Sequence, residues 1–318
     1  MKASIIVRNY NGKDLLANLL PGLIQVVEDR GKGDEVIVVD DGSDDGSVEF
    51  VEGNFPEVIL VRISPNSGNS IIPVNVGVER ASNPIVICLD SDVLVDMDFI
   101  TPMLKHFDDK DVFAVCPKIL NPRFGYTVES VNYPSFKRGR LVGMLPGMTE
   151  GAILPDKPVE VWYSPGNCAG YDRARFLALG GLDILYRPFY YEDLDVCHRA
   201  WRRGGRTVYE PGATIYHLKH VTTQRHLKKE TNFQLYRTKN ILLFTWKNLL
   251  DDRLLGMHLF WALLYFMKAL ITGDLVYPKA LFMAISQLRE VRSARKLERA
   301  EGVTEDREIF SRLQKLWV

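Results

Sequence analysis

Short runs of aliphatic and β-branched residues alternate with helix-patterned segments along the N-terminal part of the chain. This alternation restricts the possible folds more than any other feature. Ala3-Ser4-Ile5-Ile6-Val7 is followed by a helical pattern over Asp14–Glu28, a strand at Glu35–Val39 and a short helix at Asp45–Gly53. A strand at Val58–Ile63, a helix at Ile71–Ala81 and the strand Ile85–Leu89 complete the series. Strands apolar at nearly every position are strands buried on both faces, and repeated βα units bury them in a mostly parallel sheet covered by helices. The expected fold class is α/β, and ligands in such sheets bind beyond the carboxyl ends of the strands.

The segment from Thr101 to Pro165 is richer in Pro, Gly and aromatic residues. It carries strand-like pieces at Val112–Pro117 and Val159–Tyr163, and Val131–Pro155 reads as a long loop. Helices are expected over Arg173–Leu179 and over Glu192–Arg203, the latter ending at Gly204-Gly205, before a last strand from Val208 to His217. Beyond His220 the pattern is helical only. Leu254–Met267 is apolar on almost every face, and fourteen such residues are too few for a membrane span.

The 318 residues carry 40 Lys and Arg against 40 Asp and Glu, so the total charge gives no reason to expect a nucleic-acid partner. The zero is uneven: from Lys219 to Arg253 there are eight basic and three acidic residues, against a more acidic N-terminal part. Cys88, Cys116, Cys168 and Cys197 have no metal-like spacing and read as reduced, buried thiols. The chain enters a strand at once with no signal peptide before it, so a cytoplasmic location is expected. No GxGxxG, Walker or GxSxG pattern is present, which removes the main support for dehydrogenase, P-loop and α/β-hydrolase chemistry.

Three acidic clusters stand where a parallel sheet would place a site. Asp90-Ser91-Asp92 closes the Ile85–Leu89 run and reads either as a solvated acidic turn or as a cation site, with a hard divalent ion the natural neutraliser of two carboxylates one residue apart. Asp40-Asp41-Gly42-Ser43 closes the Glu35–Val39 run, where ionised Asp can accept hydrogen bonds from a nucleobase or ribose. Ser43 or Asp44 would cap the following helix; an EF-hand reading of Asp41, Ser43, Asp45 and Glu52 lacks the entering helix. Glu192-Asp193-Leu194-Asp195 opens a helix behind Tyr190-Tyr191, where the carboxylates either complement the helix dipole or, partly desolvated, have a pKa raised toward that of a general base. His217, ending a strand, can complete a metal site as a neutral imidazole.

Taken in order, these segments resemble inverting glycosyltransferase family 2, whose fold is the Rossmann-like GT-A type. Ser4–Asn11 looks like the opening strand, and Val39-Asp40-Asp41-Gly42-Ser43 like the nucleotide-binding turn. Asn66-Ser67-Gly68 with Asn75-Val76-Gly77 is similar to the Asn-x-Gly helix segment. Asp90-Ser91-Asp92 fits the DxD metal motif, and Gly180–Asp183 with Glu192–Asp195 and Arg199 resembles the acceptor-side block. Pro211-Gly212-Ala213 leads to His217 as in members with a metal-binding histidine. Arg8 departs from the small residue often found in the opening motif, and Ser70–Val74 from an Ala/Gly-rich run.

The resemblance implies a nucleotide-sugar site with Asn9, Asp40, Asp41, Gly68, Asn75, Asp90 and Ser91. It implies a divalent ion (Mn²⁺ or Mg²⁺) on Asp92, Asp90 and His217, with Asp193 as catalytic base and Glu192 as reserve. The donor would be a UDP- or dTDP-sugar and the acceptor a glycan or lipid-linked glycan in cell-surface polysaccharide synthesis. Residues 1–220 would form the catalytic domain, split at 92/93 into nucleotide-sugar and acceptor halves, and 221–318 a helical module. Through 221–290 that module would touch the cytoplasmic membrane face, or else pack on the core or form a homodimer contact. A non-catalytic sugar-nucleotide module on the same fold would not need both carboxylate sets. A sugar nucleotidyltransferase would need a Gly-rich basic loop that Asn9-Tyr10-Asn11-Gly12 does not supply.

Overall fold

The computed structural model describes residues 1–120, 130–145, 154–166, 168–218 and 230–315. Its N-terminal elements follow the predicted alternation: β1 (Ala3–Asn9), α1 (Lys13–Arg30), β2 (Glu35–Asp40), α2 (Ser47–Asn54), β3 (Ile59–Arg62), α3 (Ile71–Arg80) and β4 (Ile85–Asp90). β1 pairs in parallel with both β2 and β4, and β2 with β3. The order β3-β2-β1-β4 therefore reverses beside β1, and the carboxyl ends of β1 and β4 flank that switch point, where open α/β sheets bind ligands.

The sheet continues as β10-β6-β11-β5, with β5 (Val93–Val95), β6 (Val112–Leu120), β10 (Cys168–Asp172) and β11 (Arg206–His217). β10 runs antiparallel to both β4 and β6, and β9 (Val159–Val161) pairs with β11. α4 (Ile100–Lys105), α5 (Arg173–Ala178) and α6 (Glu192–Arg202) fill the connections. Alternation along each strand splits the core in two. Ile6, Ile37, Val39, Val86 and Cys88 face one cluster, while Ile5, Val7, Val36, Val38, Ile87 and Leu89 face the other. At Gly77 a Cβ would lie 2.4 Å from Ile6 Cγ2, so glycine lets α3 sit directly on β1.

Two local expectations are corrected. Within Val131–Pro155, expected to be a loop, Tyr133–Lys137 (β7) and Arg140–Met144 (β8) form a hairpin; residues 146–153 lie outside the described residues. Ser43 and Asp44 do not cap α2: its N-cap is Gly46, and Ser43 closes a turn on Asp40 instead. The four cysteines are free and buried, as expected, and burial raises their thiol pKa values.

The C-terminal helices are α7 (Glu230–Asn248), α8 (Asp252–Thr272), α9 (Val276–Ser286), α10 (Leu288–Glu301) and α11 (Asp306–Gln314). Leu242, Phe244, Ala284, Val291, Ile309 and Leu313 belong to the same buried cluster as Ile6 and Trp162. The described helices from Glu230 onward thus share one core with the sheet. The first part of the basic stretch, residues 219–229, lies outside the described residues.

Candidate active site

The site is assembled at the carboxyl ends of β1, β2 and β4. Asp90 ends β4 opposite Arg8 in the parallel register, and the two form an ion pair. Asp92 follows in the turn to β5. β11 runs antiparallel to β5 with His217 opposite Val93, which brings the imidazole Nε2 to 3.6 Å from Asp92 Oδ1. Asp90, Asp92 and His217 each offer a ligand atom within 4.8 Å of the others. Two carboxylates and an imidazole suit a hard-to-borderline divalent ion, so the residues present fit Mn²⁺ or Mg²⁺. Ser91 is buried beside Gly12 of the β1–α1 loop.

The residues expected to hold the nucleotide separate into a frame and an open edge. Asp40 accepts from Ser43 N at 2.9 Å and Ser43 Oγ at 2.6 Å, forming an Asx-type turn, and from Asn9 Nδ2 at 2.9 Å. Asp41 is held by Ser67 N and Ser67 Oγ (2.9 and 2.8 Å) and by Asn66 Nδ2, while burial raises its pKa. This docking needs Gly42, whose φ is +77° and where a Cβ would lie 2.8 Å from Asn66 N. Gly68, also left-handed at φ +69°, donates its N–H to Asn66 Oδ1 and has open space where a side chain would be. Asn75 does not face this edge. Its Nδ2 donates to Leu182 O at 2.8 Å and its Oδ1 accepts from Leu182 N at 2.9 Å, so both ends of the amide join α3 to the segment that follows α5.

Glu192 and Asp193 start α6 immediately after Tyr190 and Tyr191, two consecutive non-glycine residues at φ +74° and +79°. Left-handed backbone at bulky residues is strained by roughly 1–3 kcal/mol each and collects at functional sites. Asp193 accepts from Leu194 N (2.8 Å) and Gly166 N (3.0 Å), and burial raises its pKa. Glu192 is more enclosed: burial, reinforced by Asp193, pushes it up to about 7. Its Oε1 accepts from Ser70 Oγ at 3.0 Å, and its Oε2 has no hydrogen-bond partner among the described residues.

Arg8 and Ser70 join this cluster although neither is among the expected site residues. Arg8 Nη1 donates to Ser70 O at 2.9 Å while Nε binds Asp90, so the chain Asp90–Arg8–Ser70–Glu192 ties the two acidic clusters together. Burial works against the guanidinium charge, but Asp90, with Glu192 and Asp92 beyond, holds its pKa above normal. The signal lay in the two departures from the family pattern: an Arg in the opening strand and a hydroxyl where small apolar residues are usual.

Residues 4–174 match the family description "Glycosyl transferase family 2", more than half of the chain. The chain belongs to glycosyl transferase family 2. Relatives include the uncharacterized glycosyltransferase YfnE of Bacillus subtilis, 28% identical over 208 residues, covering 64% of this chain and 50% of that protein. The pre-mycofactocin glycosyltransferase of Mycobacterium tuberculosis is 31% identical over 58% of this chain and 38% of its own length. This chain thus spans half or less of these curated relatives. Among solved structures, Staphylococcus aureus TarS 1–349 in complex with UDP-GlcNAc superposes with a TM-score of 0.59 at 17% identity, covering the whole of this chain and 91% of that one. GalNAc-T7 with UDP, GalNAc and Mn²⁺ gives 0.61 at 15% identity over 80% of this chain and 49% of that one. These likenesses establish the GT-A fold.

Proposed function

We propose that this family 2 chain is a metal-dependent inverting glycosyltransferase. It moves a sugar from a UDP- or dTDP-linked donor to a hydroxyl of a glycan or lipid-linked glycan, in cell-surface polysaccharide synthesis. The observation that carries the reading is the joining of Asp90, Asp92 and His217 to Glu192 and Asp193 through Arg8 and Ser70. Relatives described with UDP-GlcNAc, or with UDP and Mn²⁺, support the donor class and the metal.

Asp92, Asp90 and His217 would hold the divalent ion, which when bound supplies positive charge for the donor diphosphate. Asp41, oriented by Asn66 and Ser67, borders the base-binding edge, and the turn braced by Asp40 and Asn9 supports it. Arg8 adds a fixed positive charge beside the leaving diphosphate. Asp193, aimed by the N–H groups of Gly166 and Leu194, accepts the proton of the acceptor hydroxyl as its oxygen attacks the anomeric carbon. The bond to the nucleoside diphosphate breaks on the opposite face, so a single displacement inverts the anomeric configuration. Glu192 keeps a hydrogen bond to Ser70 and is the reserve base.

A panel of nucleotide-sugars assayed with Mn²⁺ or Mg²⁺ tests the reading. Metal-dependent release of nucleoside diphosphate, with an inverted product by NMR, is expected. Chelator should abolish turnover and added metal restore it; undiminished turnover in chelator would remove the metal from the proposal. Binding of donor with no turnover on any acceptor would favour the non-catalytic module.

A further inference from the structure

α8 and α9 carry an apolar face that nothing in the described chain covers. Phe260, Leu263, Leu270, Ile271, Leu275 and Phe282 are all exposed, Ile271 at 83% and Phe282 at 74%. On α8 they recur at helical spacing, and Leu275 and Phe282 follow on the far side of the turn at Gly273. An exposed apolar surface of this kind marks a contact with a protein or a membrane.

The helix itself corrects the fourteen-residue estimate. Asp251 caps it by accepting from Arg253 N and Leu254 N, and Gly273 ends it at φ +72°, so α8 spans 21 residues and is long enough to cross a bilayer. Its inner side is nevertheless committed to the protein. His258 Nδ1 lies 2.5 Å from Gly139 O in the β7–β8 turn, and Trp246 Nε1 donates to His258 Nε2 at 2.8 Å. Tyr265 OH donates to Arg138 O at 3.0 Å, and Ala269 is buried. Standing α8 upright in a bilayer would strip away these contacts.

The charge around the face has one dominant sign. Lys137 and Arg138 are exposed at the hairpin tip that packs on α8, and Arg140 stacks over the Tyr265 ring at 4.1 Å. Lys268 falls one turn from Leu264 and Ile271, and Lys279 one turn from Leu275 and Phe282, both exposed. Between Leu254 and Gln287 the sole acidic residue is Asp274, whose Oδ1 accepts from Val276 N. A two-fold contact through this stripe would bury lysines with little acid to meet them. Lysine stems lying along apolar surface with their ammonium groups at its edge suit a headgroup layer.

We propose that the α8–α9 face docks in the plane of an anionic lipid surface. Its apolar residues enter the acyl boundary while Lys137, Arg138, Lys268 and Lys279 lie at headgroup level. This deepens the lipid-linked option for the acceptor, yet it is measured without donor or acceptor, so either reading can fail alone.

The test is co-sedimentation of the full chain with vesicles of phosphatidylcholine, with or without phosphatidylglycerol. Binding is expected to the anionic vesicles, to fall with added salt, and to weaken about tenfold or more in Ile271→Asp/Phe282→Asp. Lys137→Glu/Arg138→Glu should remove most of the salt-sensitive part, and it keeps the test open if the first variant folds poorly. No pelleting with anionic vesicles at low salt would overturn the proposal, as would binding that neither variant reduces. A dimer seen by light scattering and dispersed by the same Asp substitutions would assign the face to a second copy. Chain that stays with the vesicles through an alkaline carbonate wash would overturn the in-plane geometry in favour of a span.

Discussion

Asp193 and Glu192 are the two candidates for the base of the proposed reaction, and their surroundings separate them. Asp193 is aimed by two backbone N–H groups, whereas Glu192 is more enclosed and tied to Ser70. Asp193→Asn should lower kcat by roughly 10²–10⁴-fold, the usual worth of a positioned base, with donor binding retained by calorimetry. Glu192→Gln should keep more of the rate. Because burial raises the carboxyl pKa of Asp193, the base is ionised only above the ordinary carboxylate range, and activity falls as pH drops through that raised value. Glu192, pushed up to about 7, is already protonated while Asp193 titrates, so Glu192→Gln should leave this acid limb nearly in place in a kcat/KM profile. An unchanged Asp193→Asn enzyme beside a dead Glu192→Gln would exchange the two roles. Arg8→Ala should raise the KM for donor about tenfold, near the worth of one charge-assisted hydrogen bond. Two acidic clusters are legible in the sequence because each ends an apolar strand run, and the third because it opens a helix behind two tyrosines. The bridge through Ser70 is not, since it depends on a serine far from both clusters meeting Glu192 in space.

The strained turn before α6 is held from the C-terminal helices. Asn240 Nδ2 lies 2.6, 2.8 and 2.9 Å from the carbonyl oxygens of Tyr186, Phe189 and Tyr190, and Lys239 Nζ donates to Arg187 O. Asn240→Ala should therefore reduce kcat, by roughly tenfold for each 1.4 kcal/mol of lost positioning, with a smaller effect on donor KM. Deeper in, Asp195 is shared by Lys247, Arg199, Asn248 and Tyr186. Burial opposes its charge, but Lys247 and Arg199 prevail and hold its pKa well below normal. Its contribution is present above the unfolded value near ~4 and is lost as pH falls toward the folded one. Lys247→Met should cost about 3–5 kcal/mol in urea unfolding at pH 7, with the gap narrowing below pH ~4. The β7–β8 hairpin is hard to read in the sequence for a specific reason. Its turn places Arg138 and Gly139 at positive φ, the geometry usually announced by Asn-Gly, and Pro134 interrupts the strand pattern. β10, Cys-Ala-Gly-Tyr-Asp, has no alternation and is recognised only by its place between β4 and β6.

Across the whole molecule the helical segment completes the fold. Trp162 makes edge contacts with Phe244 and Phe310, at centroid distances of 5.9 and 6.3 Å, so a residue beside the sheet depends on residues near the end of the chain. Truncation after Leu218 should leave one sheet face wet. Strong dye binding and lost near-UV dichroism are expected, the signs of a compact state without fixed packing; a native near-UV spectrum would show that residues 1–218 suffice. The sequence marks where helices replace strands, but hydrophobic pattern alone does not say which buried surface those helices share. That division of the core also sets an order of events during synthesis. The cluster built on Ile5, Val7, Val38 and Leu89 draws its members from Ala3 to Ile215, whereas the opposite cluster waits for Ile309, Phe310 and Leu313. As the chain leaves the ribosome one face of the sheet can close early, and the other stays open until Ile309, Phe310 and Leu313 emerge. The nascent protein thus carries an uncovered apolar surface until that segment arrives, a period in which chaperone capture would be expected.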